Sequence, residues 1–211
     1  MTRTKAILTL TPSRLRFASR WLAERDLALK RILNNHGYPE MWDRQPGFST
    51  TVHIILEQQV SLASAKATFH RLEFKLGGTV TPERLLNLKE SELKELGFTR
   101  QKILYTRLLA EQVASGAFVF ESLAPLSDDL VRAAMTKHKG IGNWTADIYL
   151  SECLLRCDIL PTGDIGVQEA FRVLNGHEVR PKHEQLEAMT EHWRPWRSVG
   201  TRMLWQFYLN Q

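Results

Sequence analysis

Helix start and stop signals divide almost the whole chain into short segments, and no stretch shows the two-residue alternation of a β-strand. Polar N-cap residues or prolines open these segments, and glycines close several of them. A chain divided into roughly ten short helices can bury its apolar faces only by packing helix against helix. The sequence therefore predicts an all-α fold. The residues predicted to open helices are Asp26, Ser49, Ser61, Pro82, Ser127, Asn143, Asp164, Pro181 and Pro195.

Composition points to a globular protein with a polyanionic partner. The chain has 211 residues, 43% of them hydrophobic, which suffices for one sizeable core or two small ones. Its formal net charge is +5 and its pI is about 9.4, a balance that favours a polyanionic partner, although many basic proteins bind no nucleic acid. The first twenty residues contain no acidic residue and predict a basic patch formed by Arg3, Lys5, Arg14, Arg16 and Arg20.

The same counts exclude several classes of protein. Cys153 and Cys157 are the only cysteines, so a four-cysteine zinc site or iron–sulfur cluster cannot form, and we expect small core thiols. No apolar run approaches the ~18 residues of a membrane span, and the start of the chain lacks the apolar stretch of a secretion signal. We therefore expect a soluble protein that holds no metal through these residues and is not exported.

A turn with two glycines, Gly140 and Gly142, separates the helical runs LVRAAMTKH and NWTADIYLSECL. Both glycines allow positive φ and leave backbone amides uncovered, so a phosphate can meet successive N–H groups and the positive end of the second helix. Ile141 is expected to point back into the core, and Asn143 to cap the second helix. The pattern is that of a helix-hairpin-helix, which grips a DNA backbone without reading its sequence. A glycine turn between two helices is, however, often purely structural.

Five motifs occur in an order and at spacings that are far more specific together than any one of them alone. They are EQQVS at 57–61, LGFTRQK at 96–102, GIGNWTA at 140–146, LPTGD at 160–164 and WRPWRS at 193–198. On these motifs the sequence resembles the HhH-GPD superfamily of DNA glycosylases, and in particular its AlkA-like 3-methyladenine branch. The resemblance covers about residues 45–211.

The resemblance implies an architecture of two helical lobes with the active-site cleft between them. Residues 46–158 would form the helical barrel lobe, which ends in the helix-hairpin-helix. Residues 1–45 together with 159–211 would form the second lobe and carry the catalytic aspartate.

The resemblance assigns the catalytic carboxylate to Asp164, which also stands where an N-cap of the next helical run is expected. Breaking an N-glycosidic bond develops positive charge on the sugar. A desolvated carboxylate stabilises that charge while it orients or deprotonates the attacking water. From position alone a plain cap is the commoner role, although one side chain can serve both roles. Asp158 and Asp147 are weaker candidates for the chemistry.

Bifunctional relatives such as endonuclease III place a lysine just after the hairpin, where it forms a Schiff base with the sugar. Trp144 occupies that place here. The resemblance therefore implies a monofunctional enzyme that uses water, leaves an abasic site and has no lyase activity. It also implies no cofactor, except that related proteins hold a monovalent cation on the hairpin carbonyls.

The resemblance further implies an aromatic pocket for the target base. Such a base must leave the helix stack, and a cationic alkylpurine is attracted to the electron-rich face of a tryptophan. Trp144 and Trp205 match two pocket positions, while Ile148 stands where a third aromatic residue is expected. Gln58 and Ser61 are expected to face the same cleft. For any single tryptophan, packing in the core is the alternative.

DNA contacts are expected from the hairpin and from the motif LGFTRQK. In that loop relatives use an apolar wedge that fills the gap left by the flipped nucleotide, whereas this chain offers Thr99 or Arg100. The hairpin residues predicted to contact DNA are Lys139, Gly140, Ile141, Gly142, Asn143 and Thr145.

Together these features predict a DNA glycosylase that flips alkylated purines, such as 3-methyladenine and 7-methylguanine, out of double-stranded DNA and removes them by hydrolysis. We expect a monomer without membrane association, found with the nucleoid in the cytoplasm of a bacterium or in the nucleus of a eukaryote. Two alternatives stay open. One is a glycosylase of the same fold for oxidised or deaminated bases. The other is a non-catalytic helix-hairpin-helix protein that binds DNA or senses lesions.

Overall fold

The computed structural model of the chain describes residues 7–211, so Arg3 and Lys5 of the predicted basic patch lie outside the described residues. Within this range the chain forms twelve α-helices and no β-strand, which confirms the all-α prediction. The helices are α1 (Pro12–Ala23), α2 (Leu27–His36), α3 (Phe48–Glu57), α4 (Leu62–Lys75), α5 (Pro82–Leu86), α6 (Glu90–Glu95), α7 (Arg100–Ala114), α8 (Asp128–Met135), α9 (Asn143–Ile148), α10 (Ile165–Leu174), α11 (His183–Met189) and α12 (Arg197–Leu209). Short 3-10 or π segments cover Phe120–Leu123, Tyr149–Cys153 and Glu191–Trp193.

Four side chains at predicted helix starts cap those helices. Asp26 accepts hydrogen bonds from two backbone N–H groups of α2. Ser61, Ser127 and Asp164 each accept one from the third residue of their helix. Each such cap stabilises a protein by about 1 kcal/mol. These four helices therefore begin where the sequence indicates.

Two predicted caps are wrong because a glycine takes the position instead. Gly47, with a φ of 131°, precedes the first residue of α3, Phe48, so Ser49 lies inside the helix. Likewise Gly142 is the N-cap of α9, and Asn143 is its first helical residue. Neither glycine can offer a side-chain hydrogen bond. At Gly47 the permissive backbone of glycine lets the chain enter the helix without one, whereas Gly142 has an extended backbone that other residues also adopt.

Two prolines also stand earlier than the helices they are expected to open. α11 begins two residues after Pro181, because Lys182 has extended backbone angles and occupies the cap position. α12 begins two residues after Pro195, because Trp196 occupies the cap position there. Pro82, by contrast, is the first residue of α5, as predicted.

The chain divides into two compact units, and the residues up to Asp43 together with Leu150–Gln211 form the first. In this unit α12 packs on α1, α2 and α10. Gly200 permits that packing, because a Cβ there would lie 2.5 Å from the ring of Trp193, which is almost fully buried. The core consists of Leu10, Leu15, Ala18, Leu22, Leu29, Ile32, Cys157, Leu160, Val167, Ala170, Phe171, Leu186, Trp193, Trp196, Val199, Met203 and Leu204. Cys153 is also buried, so both thiols lie inside the protein, as predicted.

The second unit comprises Arg44–Tyr149 and contains α3 to α9. α3 packs on α4, α7 and α9, α5 and α6 pack on α7, and α8 packs on α9. Its most buried apolar side chains are Val52, Ile54, Ile55, Leu56, Leu72, Leu85, Leu93, Ile103, Leu109, Val131 and Met135. The roles assigned to the two lobes stay predictions. No helix within residues 7–211 is long and apolar enough to cross a membrane.

Candidate active site and nucleic-acid interface

Asp164 lies in the first unit, at the N-cap of α10, after a loop that is held by its own hydrogen bonds. The Asp164 N–H donates to the Pro161 carbonyl at 2.9 Å. The side-chain amide of Gln168 donates to the Thr162 carbonyl at 2.7 Å. Asp164 Oδ1 accepts the Val167 N–H at 2.8 Å. The carboxylate therefore has a fixed position at the positive end of a helix dipole.

A tryptophan from α12 contacts the same carboxylate oxygen. Trp205 Nε1–H donates to Asp164 Oδ1 at 3.1 Å, so this oxygen accepts from both a backbone amide and an indole. Hydrogen bonds to an ionised carboxylate are roughly twice as strong as those between neutral groups. Both residues are half-buried. The fold thus brings together two predicted site residues that lie 41 positions apart in the sequence.

A similar pair of aspartate and tryptophan occurs elsewhere in the first unit. Asp26 caps α2 with Oδ1 and accepts the Trp193 Nε1–H on Oδ2 at 2.8 Å. Trp193 is a core residue, 1% exposed, whereas Trp205 is half-buried. A cap combined with an indole is therefore no sign of catalysis by itself, and Asp26 provides an internal control for Asp164.

Trp42 is a neighbour of the Asp164–Trp205 pair that the sequence does not indicate. Its ring meets the Trp205 ring edge-on, with centroids 5.6 Å apart and an interplanar angle of 67°. The backbone of Trp42 has a φ of 42°. This left-handed conformation costs a non-glycine residue on the order of 1–3 kcal/mol and occurs preferentially at functional sites.

A buried arginine holds the backbone just before Trp42. Arg202 of α12 is fully buried, and burial lowers its pKa to about 10. Its Nε donates to the Met41 carbonyl at 2.9 Å. Its two terminal nitrogens donate to the hydroxyl and carbonyl of Ser151 and to the Ser198 carbonyl. A charged group with this many acceptors fixes the segments that supply them.

The other two aspartates considered for the chemistry are bound to arginines. Asp147 accepts Arg132 Nε at 2.6 Å. Asp158 accepts Arg197 at 2.7 Å and Arg194 at 2.5 Å. A guanidinium beside a carboxylate opposes the attraction of that carboxylate for a cationic sugar, so the carboxylate stabilises the sugar less. The arginine contacts therefore make Asp147 and Asp158 the weaker candidates.

The helix-hairpin-helix lies in the second unit as α8, a turn and α9. Ile141 is 4% exposed and anchors the turn in the core, as predicted. Gly140 has a φ of 92°, and a Cβ at this position would overlap the ring of Tyr105. Gly142 has a φ of −95°, so the expectation of positive φ is wrong for this residue. No atom lies within 4 Å of where its Cβ would be, and this open space leaves room for a ligand.

Gln58 braces the hairpin from the end of α3. Its side-chain amide donates to the Gly140 carbonyl and to the Thr145 hydroxyl, both at 2.9 Å. Thr145 is 1% exposed, so its side chain faces the interior of the unit. Ser61 is exposed and caps α4. The predicted contacts of Gln58 and Ser61 with a base, and of Thr145 with DNA, stay predictions.

We expect Gln58→Leu to destabilise the protein by about 1–3 kcal/mol, because a buried hydroxyl and a carbonyl lose their donor. For a chain of this size the melting temperature should fall by about 2–12 °C in calorimetry. Gln101→Leu is the control, since the Gln101 amide bonds only to the exposed Tyr105 hydroxyl among its described contacts. Equal melting temperatures for the two variants would show that the brace contributes nothing.

Other predicted contact residues of the hairpin differ in their exposure. Lys139 and Asn143 are exposed, Trp144 is half-buried, and Ile148 lies in the core at 3% exposure. Their contacts with DNA and with the base stay predictions.

The segment predicted to supply the wedge forms the start of a helix. Thr99 accepts the Lys102 N–H and caps α7, and Arg100 is the first residue of that helix; both are exposed. Gln59 differs from them, because it is exposed between α3 and α4 and has a φ of 57°. A strained, exposed residue of this kind is a further candidate for the wedge. The only signal in the sequence is its place between a helix end and the cap at Ser61.

The described residues, 7–211, contain no group of three or more His, Cys, Asp or Glu side chains that could hold a metal ion. A monovalent cation at the hairpin would instead need main-chain carbonyls. Those of His138 and Gly140 accept hydrogen bonds from the Ile141 N–H and from Gln58. A carbonyl oxygen has a second lone pair, so the donor set permits such a cation, which stays a prediction.

Three arginines of the predicted basic patch lie exposed on α1: Arg14, Arg16 and Arg20. The guanidinium carbons of Arg16 and Arg20 lie 5.6 and 5.7 Å from the centre of the Tyr38 ring. Arg20 Nε also donates to the Tyr38 hydroxyl at 2.6 Å. Exposed cations held on an aromatic ring suit contact with phosphates.

Comparison with known proteins agrees with this arrangement. The sequence model of the HhH-GPD superfamily of base excision DNA repair proteins matches residues 52–195. YfjP of Bacillus subtilis is 26% identical over 187 residues, which cover 85% of this chain and 65% of YfjP. The chain therefore spans slightly less than two thirds of the length of this relative.

Two solved structures are similar over nearly the whole chain. The 3-methyladenine DNA glycosylase Mag1 of Schizosaccharomyces pombe, solved with abasic DNA, has a TM-score of 0.83 at 24% identity, and the match covers 90% of this chain and 95% of that one. The DNA-3-methyladenine glycosidase of Bacillus halodurans has a TM-score of 0.75 at 28% identity, covering 97% and 93%. The likeness to Mag1 supports the fold.

Proposed function

The chain belongs to the HhH-GPD superfamily of base excision DNA repair proteins, and on that premise we propose that it hydrolytically removes alkylated purines from double-stranded DNA. The substrates are bases of the 3-methyladenine and 7-methylguanine type. Support comes from the Bacillus halodurans glycosidase, which is similar in sequence and fold. The observation that carries the proposal is the Asp164 carboxylate held against the Trp205 indole at the start of α10.

In the proposed reaction, the bond between C1′ of the sugar and the base nitrogen breaks first. Its electron pair moves onto the base and neutralises the positive charge of a cationic alkylpurine. The sugar then carries the positive charge, which the Asp164 carboxylate stabilises. Water adds its oxygen to C1′ and gives up a proton to the carboxylate or to solvent, leaving an abasic site. A base that is already cationic needs no protonation as it leaves, so the reaction does not require a general acid.

Aromatic rings supply the environment for the base. Trp205 lies beside the carboxylate in the first unit, and a contact of Trp144 with the base stays a prediction. A cation over the face of a tryptophan is stabilised by about 0.5–2 kcal/mol, more when it is desolvated. This attraction favours cationic alkylpurines over neutral bases of the same size. The enzyme would then select its substrate by the positive charge of the alkylated base and by the weakness of the bond between that base and the sugar.

Three lysines within the described residues bear on whether the enzyme has an amine for a Schiff base. Lys137 and Lys139 are exposed in the turn before α9. Lys102 is buried, and burial lowers its pKa. Its Nζ donates to the Leu56 carbonyl near the end of α3 at 2.7 Å, which assigns it a structural role. The proposed enzyme is therefore monofunctional and uses water.

We expect methylated duplex to lose free base while its strand stays intact until alkali is added, and borohydride to trap no covalent complex. Strand cleavage by β-elimination requires a Schiff base between an amine and C1′. Denaturing electrophoresis with and without alkali checks the result. A trapped adduct that disappears in Lys102→Met, Lys137→Gln or Lys139→Gln would make the enzyme a lyase and would identify its amine.

Double-stranded DNA containing damaged bases is the proposed partner of a monomeric protein. The open Gly142 turn and the exposed arginines of α1 are the surfaces proposed to contact phosphates. Such contacts are independent of sequence. The proposed place of action is wherever the chromosome lies, in the nucleoid of a bacterium or the nucleus of a eukaryote.

A panel of duplexes tests the proposed substrate class. Each duplex carries one lesion at the same position: 7-methylguanine, uracil or 8-oxoguanine. The proposal expects release of 7-methylguanine to be faster than release of either neutral base by at least about tenfold, since leaving-group charge replaces protonation. Faster release of uracil or 8-oxoguanine would assign the enzyme to deaminated or oxidised bases. Binding without any release would leave a DNA-binding or lesion-sensing protein.

A further inference from the structure

We propose that Trp42 is a positioning residue that fixes the indole of Trp205 against Asp164. That Trp42 holds Trp205 in place rests on the geometry of the first unit. That this affects catalysis rests on the proposed function. Its basis is the edge-on contact of the two rings at 5.6 Å, together with the left-handed backbone of Trp42.

The segment that carries Trp42 is attached to α12 at two points. Arg202 donates to the Met41 carbonyl at 2.9 Å, and Gln206 donates to the His36 carbonyl at 3.0 Å. Trp205 lies between these two residues on α12. The helix that presents the Trp205 ring therefore also holds the backbone that presents the Trp42 ring.

The backbone conformation of Trp42 decides where its ring lies. Rotation about φ swings the Cβ, so an ordinary extended or helical φ would aim the side chain elsewhere. A strained residue persists only when its surroundings impose the conformation. The Arg202 contact with the preceding carbonyl is such a constraint. The left-handed conformation thus places the Trp42 ring in edge-on contact with the Trp205 ring.

The consequence for the active site follows from the contacts of Trp205. Its Nε1–H donates to Asp164 Oδ1 at 3.1 Å in the present ring orientation. The Trp42 ring packs edge-on against the same indole, and in the proposal this contact restricts the rotation of the Trp205 side chain. Without Trp42, the Trp205 indole loses this contact, and the direction of its N–H toward the carboxylate oxygen is less restricted. Misplacing a group in an active site by about 1 Å can reduce the rate about 100-fold.

The first arm of the test needs no substrate. Solvent exchange of the Trp205 indole N–H is measured by NMR in the full chain labelled with nitrogen-15, and the signal is assigned with Trp205→Phe. We expect roughly two- to tenfold faster exchange in Trp42→Asn, from the strength of an edge-to-face aromatic pair. Asparagine tolerates the left-handed backbone, so this variant keeps the conformation while it removes the ring. Trp42→Phe should restore slow exchange.

The second arm measures single-turnover release of 7-methylguanine and affinity for a duplex with an abasic-site analogue. We expect Trp42→Asn to lower the rate roughly 10- to 100-fold with little change in affinity, because the reacting groups and not the DNA contacts are disturbed. Trp21→Leu is the matched control. Trp21 is another half-buried tryptophan of the first unit, stacked under Arg25 at 4.0 Å. Its loss should leave the rate unchanged.

The two arms separate this inference from the proposed function. Unchanged exchange of the Trp205 indole in Trp42→Asn would overturn the inference even if the wild type excises alkylated bases. A wild-type excision rate in Trp42→Asn would overturn it as well. Failure of the wild type to release any base would defeat the proposed function, while the exchange measurement would still decide whether Trp42 positions Trp205.

Discussion

Asp164→Asn lowers single-turnover release of alkylated base by on the order of 10³- to 10⁴-fold, the effect expected when a carboxylate that stabilises developing positive charge is neutralised. Folding should survive, because asparagine is as good an N-cap as aspartate. Its side-chain oxygen can still accept the Val167 and Trp205 N–H groups that Asp164 Oδ1 accepts. Affinity for a duplex with an abasic-site analogue should therefore remain close to that of the wild type.

Asp26→Asn is the control for this prediction. Asp26 also combines an N-cap with an indole hydrogen bond, but its partner Trp193 is a core residue. Both variants remove a carboxylate charge from an N-cap of the first unit. Asp26 differs from Asp164 because its Oδ2 lies against both Trp193 and His192, so the amide nitrogen of Asp26→Asn would face the Trp193 N–H. Calorimetry therefore has to show that Asp26→Asn is folded before the two excision rates are compared. Equal excision rates for both, near that of the wild type, would reduce Asp164 to a cap and move the chemistry elsewhere.

Gly142→Asp should weaken binding to every duplex, damaged or not, by about 10- to 100-fold at low salt, because a negative charge at the N-terminus of α9 repels a phosphate. Stability should stay the same or rise slightly, since aspartate is a better N-cap than glycine. The backbone accepts the change, with a φ of −95° and open space around the new Cβ. Fluorescence anisotropy with several unrelated duplexes measures the affinity, and calorimetry measures the stability.

Gly142→Asn is the control for charge, because it has nearly the same shape and keeps the capping ability. It should bind DNA far better than Gly142→Asp. Gly140→Ala is unsuitable for this purpose, since its Cβ would overlap Tyr105 and its φ of 92° disfavours alanine. Loss of affinity from such a variant would report a damaged fold. Affinities for the aspartate and asparagine variants at position 142 that both equal the wild-type affinity would contradict phosphate binding at this turn.

Local signals allowed several parts of the site to be predicted from the sequence. Capping depends on a side chain and the next three amides, so Asp164 and Ser61 were identifiable from their neighbours alone. The burial of Ile141 followed from its place between two glycines. The prediction of a positive φ at Gly142 is wrong, because glycine permits a positive φ without requiring it, and Gly142 has a φ of −95°.

The parts that could not be predicted depend on contacts between distant segments. The ring of Trp42 meets Trp205 because Arg202 and Gln206 hold the segment before it. No periodicity marks such a contact. The left-handed backbone of Trp42 runs against the preference of its residue type, so propensity would assign it another conformation. Residues of this kind become visible only once the helices are packed.

The most direct test of the account is the mass spectrum of the bases that excess wild-type protein liberates from randomly methylated duplex DNA. We expect 3-methyladenine and 7-methylguanine to be released at rates well above spontaneous loss, with abasic strands that remain intact. Absence of both bases, from a protein that is folded and binds the same duplex, would contradict it.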